Sequence, residues 1–214
     1  MHAQFILFDG FDPLDVIAPY ETLGAGGVEV GLVSAEGPRE VPSGLRGVGL
    51  RATAVLDPAR ADLVVVPGAA GRIPAEGEEP GADGTVPALL ARTLGTPLPG
   101  LLKEALDRPG TTVATVCGGS YVLALAGLIA GRHATTHALG LDALWNAGAT
   151  VVDARVVDDG DLVTAAGVTS GLDLGLYLLE REIGPRVAHA VQRLLSHERR
   201  GVVWRAEGPV PAGV

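Results

Sequence analysis

The sequence predicts a doubly wound α/β fold in which a mostly parallel sheet is sandwiched by helices. Two runs, VVVP within 61–68 and TVATV within 111–116, are apolar without alternation. Strands of this kind are buried on both faces, as in a parallel sheet that is covered by helices. Helical patterns follow several of the predicted strands, and repeated strand–helix units are typical of doubly wound sheets.

Each element of the first half follows from its own residue pattern. Short apolar stretches predict strands at 4–8, 28–34, 61–68 and 111–116. The segment DVIAPYETL predicts a short helix at 15–23, for which Asp12 and Pro13 supply a start signal. Asp15 would then lie just after the first strand, at the same sheet edge as the loop after the fourth.

The second half is predicted to add three helices, a short strand and a hairpin. One helix should run from Cys117 to about Ala130, and another should fill 169–184 with a Thr or Ser cap and a glycine stop. Between them the pattern predicts a strand at 133–137, a helix at 140–148 and a hairpin at 150–167 that turns at Asp158-Asp159-Gly160.

The segment from Ala69 to Gly100 differs from the rest of the single domain that residues 1–214 are expected to form. It is rich in Gly, Pro, Ala and Glu, so we expect no lasting regular structure there. Long loops in compact domains are usually functional or mobile. We therefore predict a mobile insertion loop at about 69–100, beside the active-site edge.

Charge and cysteine content exclude several classes of protein. The formal net charge is −9, which disfavours nucleic-acid binding because phosphate contacts need clustered Lys and Arg. No apolar run approaches a membrane span, and the first residues lack a basic start, so we expect no membrane partner and no secretory signal. A single cysteine permits no internal disulfide, and this favours a cytoplasmic location.

The only cysteine lies where a strand passes at once into a helix. The run TTVATV leads into Cys117, and Gly118 and Gly119 follow it. A nucleophile elbow needs this order, because the catalytic residue occupies a strained turn and its neighbours must be small. The positive end of the next helix would also lower the thiol pKa. The alternative is a buried small hydrophobe, but the two glycines favour the nucleophile.

A cysteine nucleophile needs proton-transfer partners, and the sequence offers candidates without choosing between them. Asp15 is one, although its place in the first turn also fits a capping-box acid behind the N-cap Asp12. His137, at the end of RHATTH, is another, although it could be a surface or helix-capping histidine. His133 would share the same side of that strand and competes with it.

With these residues assembled, the chain resembles the ThiJ/PfpI superfamily, which has the class I glutamine-amidotransferase-like fold. The resemblance covers almost the whole chain, and its nearest subgroup is the isonitrile hydratases with the amidotransferase-like domains fused to AraC-type regulators. It is carried by DLVVVPG, by TVATVCGGSYVLALAGLIAGRHATTH and by VVDDGDLVTAAGVTSGLDLGLYLLERE. The resemblance implies a flavodoxin-like sandwich and a homodimer.

The resemblance also implies roles for individual residues. Cys117 matches the family nucleophile, Asp15 matches the hydratase acid in an L-D-x-x-x-P pattern, and His137 matches a histidine near the cysteine. The family's oxyanion hole falls on the backbone of Gly68, Ala69 and Gly118. The implied reaction is hydration of an isonitrile, a small molecule, to an N-substituted formamide, without a metal or organic cofactor.

Two departures and two other functions accompany this interpretation. The hydratases carry Thr directly after the cysteine, where this chain has Gly118, and the family's P-G-G reads Pro67-Gly68-Ala69 here.

A binding or cysteine redox-sensing protein is one alternative function, because an exposed cysteine of low pKa can act as a switch. Amidase or glyoxalase-like chemistry is the other. The scattered histidines show no zinc-ligand spacing.

Overall fold

A mostly parallel sheet forms the centre of residues 1–209, the part of the chain that our computed structural model describes. The strands are β1 (His2–Ile6), β2 (Glu29–Ser34), β3 (Arg39–Pro42), β4 (Gly49–Ala52), β5 (Ala54–Val55), β6 (Leu63–Val66), β7 (Thr112–Val116), β8 (His133–Ala134), β9 (Thr150–Val151), β10 (Val156–Asp158), β11 (Leu162–Ala165) and β12 (Trp204–Arg205). The α-helices are α1 (Pro13–Ala25), α2 (Val86–Arg92), α3 (Leu98–Asp107), α4 (Gly119–Leu125), α5 (Leu141–Asn146), α6 (Ser170–Glu182) and α7 (Pro185–Leu194).

The order of the strands confirms the predicted fold class. Within residues 1–209 the main sheet has the order β12-β10-β11-β7-β6-β1-β2-β5, and neighbouring strands are parallel except β10 and β11. Because β7, β6 and β1 are adjacent and parallel, the loops that follow them meet at one edge of the sheet. Ligands bind at this edge in doubly wound sheets.

The central strands are buried on both faces, as their lack of alternation predicts. Every residue of β6 and β11 is buried, and so are four of the five residues of β7. Helices α1 and α6 pack closely against each other: a Cβ added to Gly175 would lie 2.7 Å from Cβ of Thr22. Within residues 1–209, the helices lack the length and apolar character that a bilayer crossing requires.

The segment 69–100 contains more regular structure than its composition predicts. Helix α2 occupies 86–92, and α3 begins at Leu98. Thr85 supplies the reason, because its hydroxyl accepts a hydrogen bond from the Ala88 N–H at 3.2 Å and so caps α2. The same hydroxyl lies 2.6 Å from the carbonyl oxygen of Pro80. The expectation of an unstructured insertion therefore fails for the second half of the segment.

Two predicted boundaries and one predicted helix cap also need correction. Helix α4 ends at Leu125 instead of Ala130, because Gly127 adopts a φ of 72° that no longer fits a right-handed helix. The predicted hairpin is formed by β10 and β11 alone, while β9 pairs in parallel with β8. No side-chain hydrogen bond from Thr169 caps α6.

Gly119 should be essential to the strand-to-helix turn. A Cβ added there would lie 2.1 Å from the carbonyl oxygen of Val66, so we expect Gly119→Ala to destabilise the fold by about 1–3 kcal/mol. Gly100, in α3, is the matched control, because an added Cβ would meet no atom within 4 Å. Gly100→Ala should raise the free energy of unfolding by up to about 1 kcal/mol. Urea unfolding measures both, and equal stability of the two variants would contradict the packing argument.

Candidate active site

Cys117 occupies the strained turn that the sequence predicts. Its φ is +54°, and Ser196 is the one other non-glycine residue of positive φ within residues 1–209. Such a conformation costs on the order of 1–3 kcal/mol and persists only where the surroundings hold it. Cys117 follows β7 directly, and α4 begins two residues later. The side chain is thus held at the carboxyl edge of the sheet, and the residue is 9% exposed.

Hydrogen bonds on both sides hold this turn. The Cys117 N–H donates to the carbonyl oxygens of Ala165 and Ala166, each at 3.0 Å, and this anchors the turn to the end of β11. The Cys117 carbonyl oxygen accepts a bond of 2.6 Å from the hydroxyl of Thr136, which is 2% exposed. Both backbone polar groups of the strained residue are therefore satisfied.

A second polar contact ties the same loop to α4. The buried Ser120 hydroxyl donates to the carbonyl oxygen of Thr135 at 2.7 Å and lies 2.6 Å from the hydroxyl of Thr115. The Thr135 N–H in turn donates to the hydroxyl of Thr164 at 2.9 Å. The ATTH segment therefore supports the elbow through Thr135 and Thr136, two residues to which sequence reasoning gave no role.

Asp15 lies inside this site instead of capping its own helix. The residue has no exposed surface, and its Oδ2 atom accepts a hydrogen bond from the Gly68 N–H at 2.9 Å. Its Oδ1 atom has no hydrogen-bond partner within residues 1–209. Asp12 caps α1 by itself through the Leu14 N–H at 2.9 Å, and the Asp12 N–H donates to the carbonyl oxygen of Gly68. The capping-box interpretation of Asp15 is therefore wrong.

Burial raises the pKa of both the carboxyl and the thiol, and the charge of the carboxylate raises that of the thiol further. Burial raises the pKa of Asp15 well above its ordinary value, and the charge of Asp12 adds to this, while the Gly68 N–H and the Cys117 thiol act in the opposite direction. Burial also raises the pKa of Cys117, followed by the charge of Asp15, while the Gly118 N–H lowers it. The two side chains are therefore neighbours in a site that penalises negative charge.

The predicted fall in the thiol pKa is wrong. It relied on the positive end of α4, a helix of seven residues, as the main electrostatic influence on Cys117. Loss of hydration and the nearby carboxylate outweigh that end charge, and both favour the neutral thiol. Any chemistry at Cys117 must therefore include removal of its proton.

The predicted oxyanion residues lie together, but they are not equivalent. A Cβ added to Gly68 would lie 2.6 Å from the Gly118 nitrogen and 2.8 Å from Asp15 Oδ2, so the two loops and the carboxylate are in close contact. The Gly68 N–H is already donated to Asp15, which removes it as a free anion donor. Ala69 forms an isolated antiparallel bridge with Phe11. An anion-binding role for Ala69 and Gly118 stays a prediction.

The two candidate histidines are engaged elsewhere. The Nδ1 atom of His137 accepts a hydrogen bond of 3.2 Å from the Leu139 N–H, which caps a short 3₁₀ turn. Across residues 1–209, no hydrogen bond joins His137 to Cys117 or Asp15, so its role in catalysis stays a prediction. His133 lies 2.8 Å from Asp159 through Nδ1, and its ring packs on Trp204.

Sequence comparison identifies relatives that share these segments. The chain matches the DJ-1/PfpI family over residues 1–76 and 92–181. Isonitrile hydratase of Pseudomonas putida is 33% identical over 196 residues, which cover 90% of this chain and 77% of that protein. A deglycase of Pyrococcus horikoshii is 29% identical over 168 residues, which cover 77% of this chain and 89% of that protein.

A solved structure agrees with the fold. Drosophila melanogaster DJ-1beta superposes with a TM-score of 0.75 at 24% identity, over 92% of this chain and 98% of that one. The sheet and the elbow define the class as a doubly wound α/β protein with a cysteine on a strained strand-to-helix turn. Within that class, the chain belongs to the DJ-1/PfpI family.

Thr136 should be a positioning residue for the cysteine. Thr136→Val keeps the shape but leaves the buried Cys117 carbonyl oxygen without its donor, at a cost of about 1–3 kcal/mol. We expect slower alkylation of Cys117 by iodoacetamide, followed by intact-protein mass spectrometry. Thr136→Ser restores the hydroxyl and should recover the rate. Equal rates in the Val and Ser variants would show that the hydrogen bond does not position the thiol.

Proposed function

We propose that the protein hydrates isonitriles to N-substituted formamides, with Cys117 as nucleophile and Asp15 as proton carrier. The observation that carries this proposal is the buried Asp15 carboxyl, which the Gly68 N–H fixes in place and whose other oxygen is unpartnered beside the thiol. The isonitrile hydratase of Pseudomonas putida, 33% identical, supports the same choice of reaction. The substrate is therefore a small molecule with an electrophilic terminal carbon.

The first step adds the thiol S–H across the isonitrile carbon. The Asp15 carboxylate takes the proton of Cys117 while the sulfur forms a bond to the terminal carbon. Asp15 then returns that proton to the same carbon, and the product is a thioimidate in which carbon is bonded to sulfur, hydrogen and a double-bonded nitrogen. The carboxylate is regenerated, and neither oxidation nor reduction occurs.

The second step consumes one water molecule. Asp15 takes a proton from water as the water oxygen bonds to the thioimidate carbon, and the C–S bond then breaks. The two water protons end on the nitrogen and the sulfur, which gives the formamide and the free Cys117 thiol. One carboxylate thus serves as base and acid in both steps, as covalent catalysis with a single proton carrier requires.

The raised pKa of Asp15 suits this role. A carboxylate of ordinary pKa is a weak base at neutral pH, whereas burial makes Asp15 a stronger one and so favours proton removal from the thiol. The Gly118 N–H, which faces the sulfur, would stabilise the transient thiolate. We assign the Ala69 N–H to the same function of anion stabilisation, and His137 to tuning the thiol from outside the proton relay.

A redox sensor is the alternative that the thiol environment argues against. Sensor cysteines are exposed and of low pKa, whereas Cys117 is 9% exposed and its pKa is raised. Rapid reaction with peroxide in the absence of any turnover would favour the sensor. The expected homodimer and cytoplasmic location stay predictions.

A second candidate reaction is the modification of small carbonyl compounds. The 29% identity to a deglycase over 77% of this chain favours it. A carbonyl carbon would also accept the Cys117 sulfur, and Asp15 could protonate the resulting oxygen. Methylglyoxal offered in parallel with an isonitrile distinguishes the two candidates by the product that accumulates.

Turnover should depend strongly on Asp15 and Cys117 and much less on Asp12. With an alkyl isonitrile, Cys117→Ala should abolish formamide formation, and Asp15→Asn should reduce kcat by at least about 100-fold, the usual contribution of a general acid–base. Asp12→Asn is the comparison variant: asparagine also caps helices well, and the variant removes only the smaller effect of the Asp12 charge on the pKa of both side chains, so its kcat should fall far less than that of Asp15→Asn. Nuclear magnetic resonance detects the formamide proton. Undiminished turnover in Asp15→Asn would refute the proton relay.

Alkylation of Cys117 should respond to Asp15 in the opposite direction. The Asp15 charge raises the thiol pKa, so Asp15→Asn should lower that pKa and increase the thiolate fraction at mildly alkaline pH. The rate of iodoacetamide alkylation should therefore rise in the variant whose turnover falls. A pH profile of the rate measures the shift. A slower rate across the profile would mean that Asp15 supports the thiolate instead of opposing it.

A further inference from the structure

Helix α2 lies almost wholly outside the segments of this chain that match the family. The match to the DJ-1/PfpI family stops at residue 76 and resumes at 92, and α2 occupies 86–92. All of its residues but the last therefore fall outside the match, whereas Cys117, Asp15 and Gly68 fall inside it. The candidate catalytic residues and helix α2 have separate places in the sequence, yet they meet in space.

Leu90 joins α2 to the elbow. A Cβ added to Gly118 would lie 2.9 Å from Cδ1 of Leu90, so the leucine side chain lies directly on the residue that follows the candidate nucleophile. Leu90 is 2% exposed. Its neighbour Leu89 points to different backbone, because added Cβ atoms at Gly10 and Gly71 would each lie 2.9 Å from its methyl carbons.

The contacts at both ends of α2 fix the position of Leu90. Thr85 caps the N-terminus and is itself tied to the carbonyl oxygens of Pro80 and Ala82 at 2.6 and 2.7 Å. At the C-terminus, Arg92 forms an ion pair with Asp83. The preceding loop therefore contacts both ends of the helix that carries Leu90.

We propose that Leu90 is a specificity-determining residue, which forms the wall of the substrate site beside Cys117 and limits the size of the substrate's substituent. This inference rests on the proposed function, because it names the class of isonitrile that is accepted, namely one with a small apolar substituent. The contact is with Gly118, whose N–H faces the reacting sulfur, so a single residue links the Leu90 side chain to the reacting atom. The wall is hydrocarbon and offers a substituent no hydrogen-bonding group.

The test compares a small substrate with a bulky one. For wild-type protein, kcat/KM should be higher for methyl isonitrile than for cyclohexyl isonitrile. Leu90→Ala removes part of the wall, and we expect the cyclohexyl-to-methyl ratio of kcat/KM to rise by on the order of 10-fold, the scale of discrimination for small changes in an apolar pocket. Leu89→Ala is the matched control, because it truncates the adjacent residue of the same helix that contacts Gly10 and Gly71 instead.

A second readout does not need isonitrile turnover. Cys117 is alkylated with iodoacetamide and with N-benzyl iodoacetamide, and the ratio of the two rates should shift toward the bulky reagent in Leu90→Ala but not in Leu89→Ala. If no variant turns over any isonitrile while this ratio shifts, the proposed function fails and the wall stands. An unchanged ratio in both assays, or an equal shift in Leu89→Ala, would overturn the assignment of Leu90.

A double variant guards against a general loosening of the fold. Gly118→Ala alone places a methyl group against Leu90 and should slow alkylation, whereas the same change in a Leu90→Ala background has room and should slow it less. Leu90→Val serves if Leu90→Ala does not fold, as judged by circular dichroism. Additive effects of the two substitutions would contradict the contact on which the proposal depends.

Discussion

The site depends on one hydrogen bond, from the Gly68 N–H to Oδ2 of Asp15 at 2.9 Å. It joins the loop after β6 to helix α1, and so brings a carboxyl group to a cysteine more than a hundred positions away in sequence. A side chain on Gly68 would collide with both the Gly118 nitrogen and the carboxylate. The glycine therefore permits the approach of three chain segments, and the hydrogen bond determines which oxygen of Asp15 remains unpartnered.

This arrangement places two acidic groups in one buried site, where the ionisation of both groups at once is unfavourable in free energy. Burial is the largest cause of the raised pKa of both groups, and the charge of Asp15 raises the pKa of the thiol further. The two titrations therefore belong to the pair instead of to one residue. This environment disfavours a thiolate at Cys117 in the resting site. A proton carrier beside a neutral thiol agrees better with its electrostatics.

Local sequence was sufficient to predict the elbow, and insufficient to predict its electrostatics. The run TTVATV, Cys117 and two glycines predicted the strained turn because that geometry depends on neighbouring residues. The predicted direction of the shift in the thiol pKa was wrong, because the burial of Cys117 and the charge of Asp15 arise from segments that are distant in sequence. Thr136 was overlooked for the same reason, since its bond to the Cys117 carbonyl oxygen exists only in the folded chain. Helix α2 was missed because it is short and lies between Gly- and Pro-rich flanks.

The division between segments that match the family and the segment that does not has a physical basis. The turn at Cys117 and the Asp15 contact are held by backbone hydrogen bonds and by close packing of glycines, and these tolerate few substitutions. The sequence of helix α2, which packs against this turn, can vary more, because the helix needs only its cap at Thr85 and a side chain of suitable volume over Gly118. Gly118 without a side chain and Leu90 with a large one therefore form a matched pair: enlarging the first requires reducing the second. The proposed proton relay of this chain can in this way stay constant while the proposed wall at Leu90 varies.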